Sequence, residues 1–519
     1  MSDTNKNKQI VINMMASLLS CLVSMGVSFI LAPKLINSLG IEANGFLEMA
    51  NQFVNFASIA AMALNSMAGR FITVKIHQKD MEGANQYFNS VMYANLAIAG
   101  FLFVPLTIIV FQLEKLINIS PNLVSDVKVL FAAIFLNFMV TIISTTFSTA
   151  TFATNRLDLT AMRTIESQVL KGGLLILVFY FLPIKVSYMG IATLASTLYL
   201  LIAYIYYTKK LLPDIEISRR HFRIKKVIEI LSAGIWNTVM RTGQLLTNSL
   251  DTLIANLAIG PTEMGYVGTS KSMVTAINML YETISAVFTP SLTISFAKND
   301  RKELAEDLTS AMRLTGFFAN IPLAFMAAFG VSFYTLWLNK TQSLYDPSII
   351  YVLTLLTMFG TIVGGAISPL FNVYTVVNKL KWNSIVTLIM GVLSAGTVLV
   401  LIETTDTAAT YGMYYIVGVS TILGIIKNLT FTPMYAAHCL GLKKTVFYPT
   451  IFRYIAVSLG MILVFMGFNH VISTTNWLIL ILDVLLCGIA GAVINFIFLF
   501  GKRERDMLLN TVFRFVKRG

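Results

Sequence analysis

The sequence predicts an all-α polytopic membrane protein with fourteen transmembrane helices, arranged as two six-helix pseudo-symmetric bundles plus two C-terminal helices. Three observations predict it. Charged residues make up only 12% of 519 and hydrophobic residues 56%, with a mean hydropathy of +0.74, whereas a soluble domain carries roughly 25% charged residues. Apolar runs long enough to cross ~30 Å of hydrocarbon as helix recur along the whole chain, without the alternation of barrel strands. The second half also echoes the first at an offset of 220 residues.

The first span, 10–32, follows the polar stretch MSDTNKNKQ directly. With no A-x-A-like cleavage site, it reads as an uncleaved helix. PKLINSLGIEANG then breaks the apolar pattern, and its glycines suit a tight external turn into span two, 45–69. Arg70, Lys75 and Lys79 precede span three, 87–111, and Lys115 follows it. Span four is 128–151; Arg156 and Arg163 separate it from a short fifth run, 168–183, which contains Lys171. Span six, 187–208, ends at a basic linker. The second half supplies runs at 229–256, 265–290, 313–338, 349–372, 383–402 and 409–430, and the chain closes with 447–468 and 474–500. The expected domains are therefore a bundle over 1–210, a linker over 211–228, a bundle over 229–430, helices thirteen and fourteen within 431–500, and a basic tail over 501–519.

Charge gives the direction. With fourteen spans, 28 of the 38 Lys and Arg residues fall on the side of the termini and five on the other, so both termini are expected to be cytoplasmic. The net charge of +13 is then mostly an orientation signal. Nucleic-acid binding is disfavoured, because the cations are dispersed over short loops without interleaved aromatics. The richest cluster, RRHFRIKK at 219–226, reads as a linker at the anionic inner leaflet.

The repeat is local as well as global. Leu39-Gly40 and Gly45-Phe46 fall on Ile259-Gly260 and Gly265-Tyr266, and Ser90 falls on Ser310. With a further slip of three, Asn155-Arg156-Leu157 meets Asn378-Lys379-Leu380. Six spans per unit make the repeats parallel, related by an axis along the membrane normal.

The chemistry sits on helices flanking the paired turns. On span seven, Asn237, Arg241, Gln244, Asn248 and Asp251 fall within an arc of roughly 80° on one face. On span eight, Lys271, Thr275, Asn278, Glu282 and Ser285 repeat that spacing. The corresponding stripe on span two holds Asn51, Asn55, Ser58 and Asn65, with Gln52 beside it and Glu48 one step outward; on span one it reads Ser17, Cys21, Ser24 and Ser28. Intramembrane charges are costly and face an interior or a watery cavity. Two readings are open: Asp251 with Lys271 and Arg241 with Glu282 are ion pairs stapling one hairpin, or the stripes line a central cavity. A staple needs only the charges, whereas a continuous run of amides and hydroxyls suits a cavity. Asp251, Glu282 and Glu48 are candidates for ion coupling or pairing.

Soluble-style catalysis lacks parts. The three cysteines are scattered, the four histidines are isolated, and there is neither a metal-ligand spacing nor a phosphate-binding Gly-Lys-Ser/Thr loop. A membrane-embedded glycosyltransferase would need a larger external loop than the ten to fifteen residues expected here.

Two six-helix repeats, fourteen spans, the turn Pro-x-x-Ile-x-x-Leu-Gly-x-x-x-x-Gly from Pro33, and Asn-Arg/Lys after span four together resemble the polysaccharide (O-antigen-type) flippases of the multidrug/oligosaccharidyl-lipid/polysaccharide exporter superfamily. The resemblance implies translocation of an undecaprenyl-diphosphate-linked oligosaccharide across a bacterial cytoplasmic (inner) membrane. It also implies membrane lipids and polysaccharide polymerase machinery as partners, no cofactor, no enzymatic step, and H⁺ or Na⁺ as the coupling ion if there is one. By position it maps the family's cationic, diphosphate-binding cavity onto Arg241 and Lys271. Multidrug antiporters of this superfamily carry a carboxylate on span one, where this chain has Ser17, Cys21, Ser24 and Ser28. Peptidoglycan-precursor flippases carry arginines on spans one and two, where Glu48 is the only charge here.

Overall fold

A computed structural model describes residues 3–288, 292, 301–338, 345–377 and 379–506. Every regular element among them is helical. In chain order the long helices are α1 (Asp3–Leu39), α2 (Ile41–His77), α3 (Met81–Phe111), the short α4 (Leu113–Leu116), α5 (Val124–Ala153), α6 (Leu157–Phe181) and α7 (Ser187–Leu211). They continue as α8 (Ile224–Asn248), α9 (Leu250–Ala258), α10 (Pro261–Val287), α11 (Arg301–Trp337), α12 (Pro347–Val376), α13 (Leu380–Thr404), α14 (Ala408–Leu429), α15 (Phe431–Leu440), α16 (Tyr448–Val471) and α17 (Trp477–Ile494).

Local chemistry sets several boundaries. Asp80 caps α3 by accepting from the Gly83 N–H at 2.9 Å, and Asn476 caps α17 by accepting from Ile479 at 3.0 Å. Gly40, with φ +87°, reverses the chain between α1 and α2, while Asn155, at φ +55°, ends α5 in the left-handed conformation. The Asn of the Asn-Arg-Leu motif is thus a turn residue. Its Arg156 holds Asp158 through two bonds of 3.0 Å each.

Eleven of the described helices are long and apolar enough to cross a membrane, or twelve if the two arms of a sharply bent α2 count as one span. The helices in the places of the expected seventh and eighth spans, α8–α9 and α10, fall outside that count. They carry the polar stripes, and the amides and charges lower their hydropathy. The expected span seven is also not one helix, since it breaks at Ser249. The fifth run is not short: α6 begins at Leu157 and has 25 residues, its first turns disguised by Asp158, Arg163 and Glu166.

The described chain packs as two compact units: Met1–Gly268 with Ser384–Gly412, and Thr269–Asn383 with Met413–Gly519. In the first, Leu64, Phe88, Phe147, Tyr204 and Ile230 form a core joining α2, α3, α5, α7 and α8. In the second, Phe329, Tyr334, Tyr374, Tyr454 and Phe465 are fully buried, and the Tyr334 hydroxyl lies 2.8 Å from that of Thr354. A π-helical turn at Asn495–Leu499 follows α17, where Asn495 and Asn320 exchange amide bonds of 2.8 and 2.9 Å. A short helix over 502–506 ends the described chain.

Candidate functional site

In the first unit the polar residues converge on α2, α8 and the start of α10. The arms Ile41–Ala57 and Ile59–His77 of α2 are bent by 66°. At the bend the Ser58 hydroxyl donates to the Asn55 carbonyl at 2.6 Å, competing with the helical ladder and turning the axis. Asn55 donates through its amide to Gln52 Oε1 at 3.1 Å and accepts from Arg241 Nη2 at 3.3 Å. One turn earlier on α8, Asn237 donates to the Ser66 hydroxyl at 3.2 Å. The stripes expected on spans two and seven therefore face and touch one another.

Small residues allow this approach. A β-carbon at Gly234 would collide with the Ala63 carbonyl of α2. On its other side α8 packs against α13, where a β-carbon at Gly243 would lie 2.5 Å from the Leu388 nitrogen and one at Gly391 would lie 2.5 Å from the Gly243 carbonyl. The Ser384 hydroxyl donates to the Trp236 carbonyl at 2.8 Å across the same seam. Close packing of this kind holds helices together where there is no water to expel.

The paired glycine motif has a division of labour that the sequence reading missed. Gly40 takes the left-handed backbone that a tight reversal needs, but its twin Gly260 does not, so the two turns are not alike. Gly45 and Gly265 lie inside α2 and α10, where they pack on each other. A β-carbon on Gly45 would sit 2.8 Å from the Gly265 α-carbon, and one on Gly265 2.6 Å from the Ile41 carbonyl. Around them Asn118 and Asn256 exchange three bonds of 2.9 Å, and Ser120 donates to Glu42 from its N–H at 3.1 Å and its hydroxyl at 2.8 Å.

Glu48 is half-buried on α2; a β-carbon at Gly268 of α10 would lie 3.4 Å from its side chain. The charge of Lys171, on α6, acts on it. Gln52, Asn55, Asn237, Arg241 and Gln244 are half-buried, Asn51 is exposed, and Asp251 is only 3% exposed in the first turn of α9. The side chain of Asn248 lies outside the described residues. Asn65 is consumed by packing, accepting from Asn95 of α3 at 2.8 Å.

In the second unit α10 carries Lys271, half-buried; Thr275, exposed; Asn278, half-buried; and Glu282, exposed. The Asn278 carbonyl oxygen is buried without a partner. Ser285 points into the unit's own interior, accepting from Asn372 of α12 at its carbonyl and hydroxyl, both at 3.2 Å.

Two polar docking sites were not anticipated as such. On α3, Asn85, Asn89 and Ser90 hold the backbone of the segment between α7 and α8. On α11, Ser310, the residue matched to Ser90 by the repeat, donates to Glu504. Arg313 donates to the same carboxylate at 3.0 Å, the Gly501 N–H at 2.7 Å, and Arg503 pairs with Asp307 at 2.7 Å. Glu504 is 1% exposed. The equivalence of Ser90 and Ser310 was the available signal.

The sequence agrees with known proteins along nearly its whole length. It is 28% identical to the uncharacterized membrane protein EpsK of Bacillus subtilis (strain 168) over 499 residues, spanning 96% of this chain and 97% of that one. The fold is that of the lipid II flippase MurJ in its inward closed conformation, with a TM-score of 0.62 and 16% identity over 93% of this chain and 98% of that one. It is also that of an inward-facing multidrug resistance MATE family transporter of the MOP superfamily, with a TM-score of 0.57 and 15% identity over 83% of this chain and 98% of that one. Residues 10–296 match the polysaccharide biosynthesis protein family, and the chain belongs to that family.

Proposed function

We propose that this protein is a flippase that carries an undecaprenyl-diphosphate-linked oligosaccharide from the inner to the outer leaflet of a bacterial cytoplasmic membrane, for surface polysaccharide synthesis. Both termini are cytoplasmic, the two six-helix repeats are related by a pseudo-two-fold axis along the membrane normal, and they alternate in access. The contact between the repeat-equivalent Gly45 and Gly265 supports that axis, because equivalent residues meet where a two-fold passes. The fold shared with MurJ and membership of a polysaccharide biosynthesis family support the class of cargo.

The observation that carries the reading is the state of Arg241. Among the described residues of its own unit the guanidinium donates to the neutral amide of Asn55 and pairs with no carboxylate. In a low-dielectric setting such a charge seeks an anion, and a planar fork suits a diphosphate. Lys271 supplies the second cation. Asn51, Gln52, Asn55, Asn237, Gln244, Asn248, Thr275 and Asn278 offer the neutral donors and acceptors that sugars need, while the polyprenyl tail stays in the bilayer. Thr275 is accessible in the middle of α10 and Glu282 in its last turns, which suits a watery cavity better than lipid. Asp251, Glu282 or Glu48 would carry the coupling H⁺ or Na⁺, and the polymerase machinery would consume the product.

A double-mutant cycle tests this. If Arg241 serves only to neutralise Glu282, Arg241→Ala exports poorly and the added Glu282→Ala restores export. The expected result is that the double variant folds, still fails to export, and accumulates lipid-linked oligosaccharide on the cytoplasmic face. Arg241→Lys exports weakly, keeping the charge and losing the fork. Full export by the folded double variant removes Arg241 from the cargo site.

A further inference from the structure

The segment between α7 and α8 has a built geometry that orientation alone does not require. Asn85 and Asn89, one turn apart on α3, bond to its backbone while also donating to the Met81 and Asn85 carbonyls of their own helix, at 3.0 and 2.9 Å. Asn85 donates to the Asp214 carbonyl at 2.9 Å and accepts from the Glu216 N–H at 2.7 Å. Asn89 donates to the Glu216 carbonyl at 2.7 Å and accepts from the Ser218 N–H at 2.9 Å. Ser90 spans Arg223, accepting from its N–H at 2.9 Å and donating to its carbonyl at 3.2 Å. Side chains thus fix the segment as a partner strand would; Leu212, Ile215 and Val227 are buried in the core with Phe222 packed against it, and the exposed side chains lie between them.

From residue 217 to 228 the exposed side chains are cationic and apolar. Arg219, Arg220, Arg223 and Lys225 are exposed, interleaved with Ile217, Ile224 and Ile228 at 48%, 59% and 58% exposure. Arg220 is paired with Glu216 at 2.5 Å, and Lys226 is drawn back onto the Tyr87 hydroxyl at 3.1 Å and Glu229 at 3.2 Å. Arg219, Arg223 and Lys225 have no carboxylate partner among the described residues.

We infer that residues 217–228, clasped by Asn85, Asn89 and Ser90, form a preformed docking surface for the phosphate headgroups of anionic phospholipids. The inference rests on the cytoplasmic placement proposed above. Arginine forks match phosphate oxygens, and exposed isoleucines enter the headgroup–acyl boundary, a pairing that an acidic protein or nucleic acid would not need. A clasped backbone has already lost the freedom that a slack basic loop gives up on binding.

The test uses the full-length protein in nanodiscs of phosphatidylcholine containing about one-fifth phosphatidylglycerol, with retained lipid read by native mass spectrometry. Wild type is expected to enrich phosphatidylglycerol at about 0.1 M salt and to lose that preference at about 0.5 M. Arg219→Gln/Arg223→Gln/Lys225→Gln, all at exposed positions, should weaken it on the order of a hundredfold, about fivefold per cation. Asn85→Leu/Asn89→Leu, with every cation intact, should lose about tenfold, and Asn85→Leu alone a smaller share. Undiminished enrichment in the triple variant overturns the surface, and undiminished enrichment in the clasp variants overturns its preformed character. The assay contains no cargo and is blind to orientation, so its failure leaves the flippase reading standing.

Discussion

Arg241 and Glu504 show two fates of a charge carried by one amino acid. Among the described residues of its unit Arg241 donates to a neutral amide, that of Asn55, while Glu504 is enclosed by Ser310, Arg313 and the Gly501 N–H. Burial pushes the Glu504 carboxyl up, but these donors outweigh it and hold it below the ordinary glutamate range. A carboxyl lowered in the folded state adds stability that is present above its unfolded pKa, about 4.3, and lost as pH falls through the lowered folded value. Docking of residues 501–506 should therefore survive from pH 7 to about 5 and fail below that range, read as amide exchange in that segment. Glu504→Gln should weaken it at neutral pH by about 1–3 kcal/mol; unchanged exchange would contradict the assigned role. Glycine makes the same point sterically. Gly234→Val forces a side chain into the Ala63 carbonyl and should destabilise the protein by several kcal/mol, whereas Gly173→Ala, with open space around it, should not lower Tm.

Among the elements, α8 is the best example of a helix placed by its neighbours. Its first residues are tied to α3 through Ser90 and Tyr87, its middle to α2 through Asn237 and Arg241, and its far side to α13 through Gly243 and Ser384. Loss of the clasp should be felt locally. Asn85→Ala/Asn89→Ala leaves the N–H groups of Glu216 and Ser218 without acceptors, at about 1–3 kcal/mol each. Their amide exchange should quicken roughly tenfold to a hundredfold while that of the α2–α3–α5 core holds. Protection unchanged at 216 and 218 would mean that water serves as well as the asparagines. The linker's outward side chains, by contrast, should accept changes that preserve length and charge.

For the whole molecule, the proposed topology has a direct consequence. A reporter active only outside the cytoplasm should work when fused after residue 115 or 260 and be silent after 216. The 216 site is the discriminating one, because it lies in the most basic segment of the chain. Activity there would invert the proposed orientation and remove the cytoplasmic placement of the lipid-docking surface.

The sequence by itself determined that the chain crosses a membrane many times as helix, because length and apolarity of a run are local properties that no tertiary contact can undo. It located the polar stripes, the 220-residue repeat and the family. It misread α6, whose charged first turns hide a full-length helix, and it drew one helix where Ser249 divides two. Only the tertiary structure decided how the stripe residues are used. Asn65 and Ser285 carry the same periodic signal as Arg241 and Asn278. Yet Asn95 claims Asn65 and Asn372 claims Ser285 for packing, while Asn55 leaves the charge of Arg241 intact. Periodicity reports which face of a helix a residue occupies. What that face meets is supplied by helices distant in sequence, and a single helical period does not encode them.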